Sequence, residues 1–143
     1  MRDNQRNRVY LAEFGAISRN IRQCRIKKAD AIIWVDKILV SQWWKDKFPT
    51  IDGPKIKVEF RQHIKYPMGG CGRIIIPSRR ITKWNILHEL AHCSIDDKMV
   101  PNHGPDFCDN FLKLMKKWMG RKTHKILKEY FIRNKVDFNE GQK

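Results

Sequence analysis

Five consecutive residues carry the most specific chemistry in this chain: His88-Glu89-Leu90-Ala91-His92. On an α-helix, positions i and i+4 stand one above the other, so both imidazoles can reach a single ion. Two histidines at that spacing, with a glutamate after the first, form the H-E-x-x-H pattern of zinc-dependent hydrolysis. Zinc lowers the pKa of a coordinated water to about 7, and a carboxylate beside it can take the remaining proton as the water attacks a carbonyl. The expected roles are His88 and His92 as metal ligands and Glu89 as general base.

A catalytic zinc site takes three protein ligands and leaves the fourth position for water. His103 is the best third ligand. It lies eleven residues after His92, in Asn102-His103-Gly104-Pro105-Asp106-Phe107. That loop must turn back for the next helix to pack, and Gly104 permits the tight backbone approach this needs. Asp96, Asp97 and Asp106 compete for the role. Residues 105–119 contain no glutamate to serve as the third ligand. The longer metzincin pattern also fails, because Ile95 and Lys98 stand where its glycine and histidine belong. His63 and His124 read as ordinary surface or core histidines. Tyr66, His63, Tyr130 and His124 are each candidates to donate a hydrogen bond to an oxyanion, and nothing in the pattern chooses among them. Zn2+ is the expected cofactor from ligand type, although three imidazoles can also hold other first-row metals.

The elements that must position these groups are partly legible. A helix is expected from about Thr82, as cap, to Ile95, with Trp84, Leu87 and Ala91 along one stripe and Leu90 beside it. Cys93 points away from His92 and should be buried. A second helix should start at Pro105, because proline needs no N–H partner at the first helical position, and stop at Gly120. Its core face would be Phe107, Phe111, Leu114, Met115 and Trp118. A last basic helix is expected over about Lys122–Asn134, burying Ile126, Leu127, Tyr130 and Phe131.

Upstream, Asp30 can cap a helix through Trp44 with Ile32, Val35, Leu39 and Trp43 on one face; this makes Trp43 core and Trp44 half-exposed. Lys55–Phe60 alternates as a half-buried strand. Met68–Gly72 reads as a turn holding the loop thiol Cys71. Arg73–Ile76 reads as an edge strand ended by Pro77, placed to hold an extended peptide by strand addition. Residues 1–28 form a basic, weakly periodic N-terminal segment, and 137–143 a flexible tail.

The chain has 143 residues, enough for one core-bearing domain over 1–143 and short for two. A hydrophobic share of 41%, with 10% aromatic, argues against intrinsic disorder. No apolar run is long enough to span a bilayer, and the polar start does not read as a secretory signal. Cys24, Cys71, Cys93 and Cys108 are scattered with no C-x-x-C pair, which suggests neither a zinc ribbon nor a disulfide framework. The expected setting is reducing and intracellular, that is, cytoplasmic.

The formal net charge is +15. It is concentrated in the flanks: residues 1–30 hold eight basic and three acidic groups, against seven and five in residues 79–120. A field of this sign attracts nucleic acid but carries no sequence readout, and association with the nucleoid would follow from it.

His88-Glu89-x-x-His92 followed by His103-Gly104-Pro105-Asp106-Phe107-Cys108 resembles the SprT-like zinc metalloprotease family. The opening Arg2-Asp3-x-Gln5-Arg6-x-x-Val9-Tyr10-x-Ala12-Glu13 is similar to the start of small actinobacterial and phage-type metallohydrolases bearing the same H-E-x-x-H. The resemblance implies an α+β, zincin-like domain with a small sheet packed on the motif helix. It also implies zinc on His88, His92 and His103, with Glu89 as base in peptide-bond hydrolysis, often near DNA. The partners expected are a protein or peptide substrate and nucleic acid, with no membrane, and the chain is expected to be a monomer. Two further readings stand beside this one: a zinc hydrolase of a non-peptide substrate, and a basic nucleic-acid-binding module with a metal site.

Overall fold

The computed structural model describes residues 3–19, 24–70, 72–96 and 102–139. Among these it forms six α-helices and one three-stranded sheet, a mixed α+β fold. In chain order the elements are α1 (Arg6–Ser18), α2 (Lys28–Leu39), α3 (Gln42–Lys47), β1 (Lys57–Arg61), β2 (Met68–Gly70), β3 (Arg73–Pro77), α4 (Lys83–Cys93), α5 (Pro105–Trp118) and α6 (Arg121–Arg133). They fall into two compact units, Cys24–Asp96 and Met1–Gln23 with Asp97–Lys143. No helix among the described residues is long and apolar enough to cross a membrane.

In the unit Cys24–Asp96 the sheet has the order β1-β3-β2. β1 runs parallel to β3, with Val58 opposite Ile74 and Phe60 opposite Ile76. β2 runs antiparallel to β3, with Gly69 opposite Ile74. The edge position expected for Arg73–Ile76 is therefore corrected: β3 is the central strand, and Ile74, Ile75 and Ile76 are all buried. A continuous apolar run is the mark of a strand covered on both faces. Pro77 does not prevent this, because it ends the strand and the next residue continues the ladder, with Ser78 N donating to Arg61 O at 2.9 Å. The edges are β1 and β2. The turn expected at Met68–Gly72 is also corrected, since Met68–Gly70 is strand β2; Cys71 lies outside the described residues. Glu59 on β1 pairs with Arg73 at 2.8 Å and Arg61 at 2.6 Å. The Arg73 guanidinium, followed by that of Arg61, holds the Glu59 carboxyl below its usual range.

The long upstream helix is divided. α2 ends at Leu39, and Ser41 starts a new helix by accepting the Trp44 N–H on its Oγ at 3.0 Å. A serine side chain offers the backbone this alternative to continuing a helix. Asp30 lies in the first turn of α2 rather than at its cap. The buried side of α2 is Ala31, Val35, Ile38 and Leu39, with Ile32 turned outward. The break also reverses the expected order of the tryptophans. Trp44 is fully buried against Phe48 and donates from Nε1 to Ile51 O at 3.0 Å, while Trp43 is half-buried.

In the other unit, α6 packs on both α1 and α5. Helix α1 lies in the segment whose periodicity is weak. Its buried stripe is Val9, Ala12 and Ala16, while Leu11 and Phe14 are exposed, so large apolar residues do not mark its inner face. α5 starts at Pro105 as expected, and Gly120, at φ 103°, separates it from α6. Trp118 is half-buried rather than core, and in α6 the buried pair is Leu127 and Phe131, with Ile126 and Tyr130 half-buried. The flexible tail expected from residue 137 is corrected for its first three residues. Phe138 is buried against Phe131, and Asn139 bonds both carboxylate oxygens of Asp109, at 2.8 and 2.9 Å. Residues 140–143 lie outside the described residues.

The tryptophan assignment has a direct test. Trp44→Ala should destabilise the protein by about 3–5 kcal/mol in urea unfolding, the cost of emptying a large aromatic site. Trp43→Ala should cost clearly less.

Candidate metal centre

The motif helix is fixed before its chemistry begins. Thr82 caps α4 by accepting the Asn85 N–H on Oγ1 at 3.1 Å. An antiparallel bridge between Arg25 and Thr82, with Lys83 N donating to Cys24 O at 3.1 Å, ties the helix start down. Trp84, Leu87, Leu90 and Ala91 are buried as the stripe predicts, and α4 packs on β2 and β3. Cys93 is buried, its thiol directed at Arg73 O.

On this helix the rings of His88 and His92 meet edge to face, with centroids 5.1 Å apart. His88 and Glu89 are buried and His92 is half-buried. The glutamate is held close to the sheet. A Cβ placed on Gly69 of β2 would fall 2.7 Å from Glu89 O and 2.9 Å from Glu89 Cβ. Only glycine allows β2 to pass this near to the base candidate.

His103 has its own set of neighbours. It precedes α5, whose N-cap is Gly104 and whose first residue is Pro105. Its ring stands edge-on to Phe107 at 5.0 Å and tilted to Tyr10 at 5.2 Å. Nδ1 of the ring lies 2.7 Å from Asp3 Oδ2. Gln5 Nε2 donates to the His103 carbonyl at 2.7 Å and to Asp137 O at 3.0 Å, while Gln5 Oε1 accepts the Asp137 N–H at 2.7 Å. Cys108 also faces the His103 carbonyl, and burial pushes its thiol pKa up; it is not part of the histidine cluster.

Ligand atoms of His88, His92 and His103 all lie within 4.8 Å of one another. A tetrahedral zinc with Zn–N bonds of about 2.0–2.1 Å separates its ligand nitrogens by roughly 3.4 Å, so the spread is of the right scale. The donor set, three imidazoles, also suits zinc. Three histidines, two buried and one half-buried, thus lie close enough to bind a metal ion. Among the described residues no other group of three His, Cys, Asp or Glu side chains comes together in this way. Asp96 and Asp106 are outside the cluster, as are His63, on the surface at φ 65°, and the half-buried His124. Asp97 lies outside the described residues. Tyr66, one of the expected oxyanion donors, is 69% exposed.

Asp3 and Gln5 are the residues that periodicity and spacing do not find. Both belong to the opening stretch Arg2-Asp3-x-Gln5, but nothing local ties them to a histidine about a hundred positions away. No protein-family model, curated protein or solved structure matches the chain.

Two outcomes test the cluster. Zinc added to metal-free protein should raise its unfolding free energy by about 2.7 kcal/mol at a free concentration one hundred times Kd, with the gain abolished in His92→Ala. Gly69→Ala should destabilise the protein by about 1–3 kcal/mol in urea, because the added methyl overpacks against Glu89.

Proposed function

We propose that this chain is a zinc-dependent metallopeptidase of the SprT-like, zincin-like kind, hydrolysing peptide bonds in a protein or peptide substrate. The observation that carries the reading is the approach of His88, His92 and His103 to within 4.8 Å, with Glu89 buried next to His88 on the motif helix. The three imidazoles would hold the ion and leave a position open for water. Bound zinc would act as a Lewis acid on the scissile carbonyl and acidify the attacking water. The Glu89 carboxylate takes a proton from that water and returns it to the leaving amine nitrogen, acting as base and then as acid. Gly69 of β2 lies against the Glu89 backbone and Cβ, which holds the root of that side chain against the sheet.

The binding strand in this reading is β2. Among the described residues it pairs only with β3, and it passes directly against Glu89, so its other side can accept an extended peptide. This replaces the assignment to Arg73–Ile76, which β1 and β2 cover on both sides. Nucleic acid as a second partner rests on the net charge of +15.

Glu89→Gln provides the test. It should bind zinc like the unaltered chain and lose roughly two to four orders of magnitude in casein or autolysis turnover, the usual share of a general base. Retained turnover in that variant refutes the assignment of Glu89, and zinc-replete protein inert toward every peptide substrate refutes the peptidase reading. Cleavage that accelerates with added DNA, and loses this acceleration at high salt, would make nucleic acid part of the function.

A further inference from the structure

The carboxylate of Asp3 meets a single histidine nitrogen, and it is the nitrogen that decides how that histidine can bind. A neutral imidazole has one N–H and one lone pair, and its neighbours select which nitrogen carries which. An ionised carboxylate can only accept, so at 2.7 Å from Asp3 Oδ2 the Nδ1 of His103 is the proton-bearing atom. The lone pair is then on Nε2, a buried atom. We propose that Asp3 is a positioning residue for the metal: its bond to Nδ1 holds the His103 ring in the Nε2-ligand tautomer and makes that nitrogen a stronger donor. The inference rests on the metal-binding reading above and extends it to a residue outside the ligand set.

Two features separate this contact from a surface ion pair. The His103 side chain is 6% exposed and that of Asp3 20%, so water competes weakly for the bond. The backbone beneath the ring is also immobilised, since Gln5 donates to the His103 carbonyl and binds both backbone groups of Asp137. Asp3 and Gln5 thus act on one residue at two points, the imidazole and the main chain. Phe107 and Tyr10 flank the ring and restrict its rotation. A carboxylate–imidazole pair orienting a ligand in this manner commonly contributes 10–100-fold in metal affinity.

The experiment is a zinc competition titration against a chromophoric chelator, on full-length chain stripped of metal, with cobalt absorption as a second readout. Asp3→Ala should weaken zinc binding about 10–100-fold and shift the cobalt d–d bands, because the ring is no longer held at one angle to the ion. Asp3→Asn, which keeps the size and one acceptor oxygen but loses the charge, should fall between Asp3→Ala and the unaltered chain. Arg8→Ala, which removes the neighbouring Arg8–Lys135 O bond, should leave affinity within about twofold. A purely structural role would lower the melting temperature of metal-free Asp3→Ala and leave the affinity of the folded protein unchanged, which overturns the proposal. Should Asp3→Ala fail to fold, Asp3→Asn alone decides, and unaltered affinity there overturns it. Unmutated chain that binds no zinc, or that keeps it after His103→Ala, removes the metal-binding reading itself and this inference with it.

Discussion

A ring nitrogen held away from water must be directed by the protein around it, and this chain brings three imidazoles, those of His88, His92 and His103, within 4.8 Å of one another in largely buried surroundings. Burial raises the stakes. A buried ring nitrogen cannot fall back on water, so its direction must be set by packing or by a named partner. His88 and His92 are placed by the helix that carries both. Thr82 fixes where α4 begins, and Trp84, Leu87, Leu90 and Ala91 fix which way it faces. For His103, which precedes a helix rather than lying within one, the direction comes from Asp3, Gln5, Phe107 and Tyr10. The two kinds of support differ as their backbones differ. A helix supplies its own hydrogen bonds, whereas a residue in a loop must have them supplied by other segments.

Glu89 is also held by a distant segment, since strand β2 passes against its backbone and Cβ. Gly69 makes the approach possible, and among the described residues β2 pairs only with β3. β3, which looks like the exposed strand when read alone, is the one the other two protect. Its three isoleucines are better explained by burial on both faces than Pro77 is by an edge, because a proline at a strand end removes no bond that the ladder needs.

Where the sequence reading succeeds, the determining interaction is short-range. The cap at Thr82, the proline start at 105, the stop at Gly120 and the buried stripes of α4 and α5 all follow from contacts within about four residues. Where it fails, a single local competitor or a distant partner decides. Ser41 ends one helix and begins another, and Trp43 and Trp44 exchange environments as a result. Helix α1 hides behind Leu11 and Phe14, which face outward, while its inner face is built of valine and alanine. The segment after Val136 looks free by composition, yet Phe138 packs on Phe131 and Asp109 captures Asn139.

By itself the sequence determined the pair His88 and His92, the glutamate between them and the helix that carries all three, because a spacing of four is a property of helix geometry alone. It also singled out His103 as the best candidate to join that pair, with Asp96, Asp97 and Asp106 as competitors. Tertiary structure alone decided that β3 is central, that β2 rather than β3 runs along Glu89, and that Asp3 meets Nδ1 of His103. Each of these joins positions that are distant in the chain or in different strands, and a linear pattern carries no term for which distant groups the fold brings within a hydrogen bond of each other.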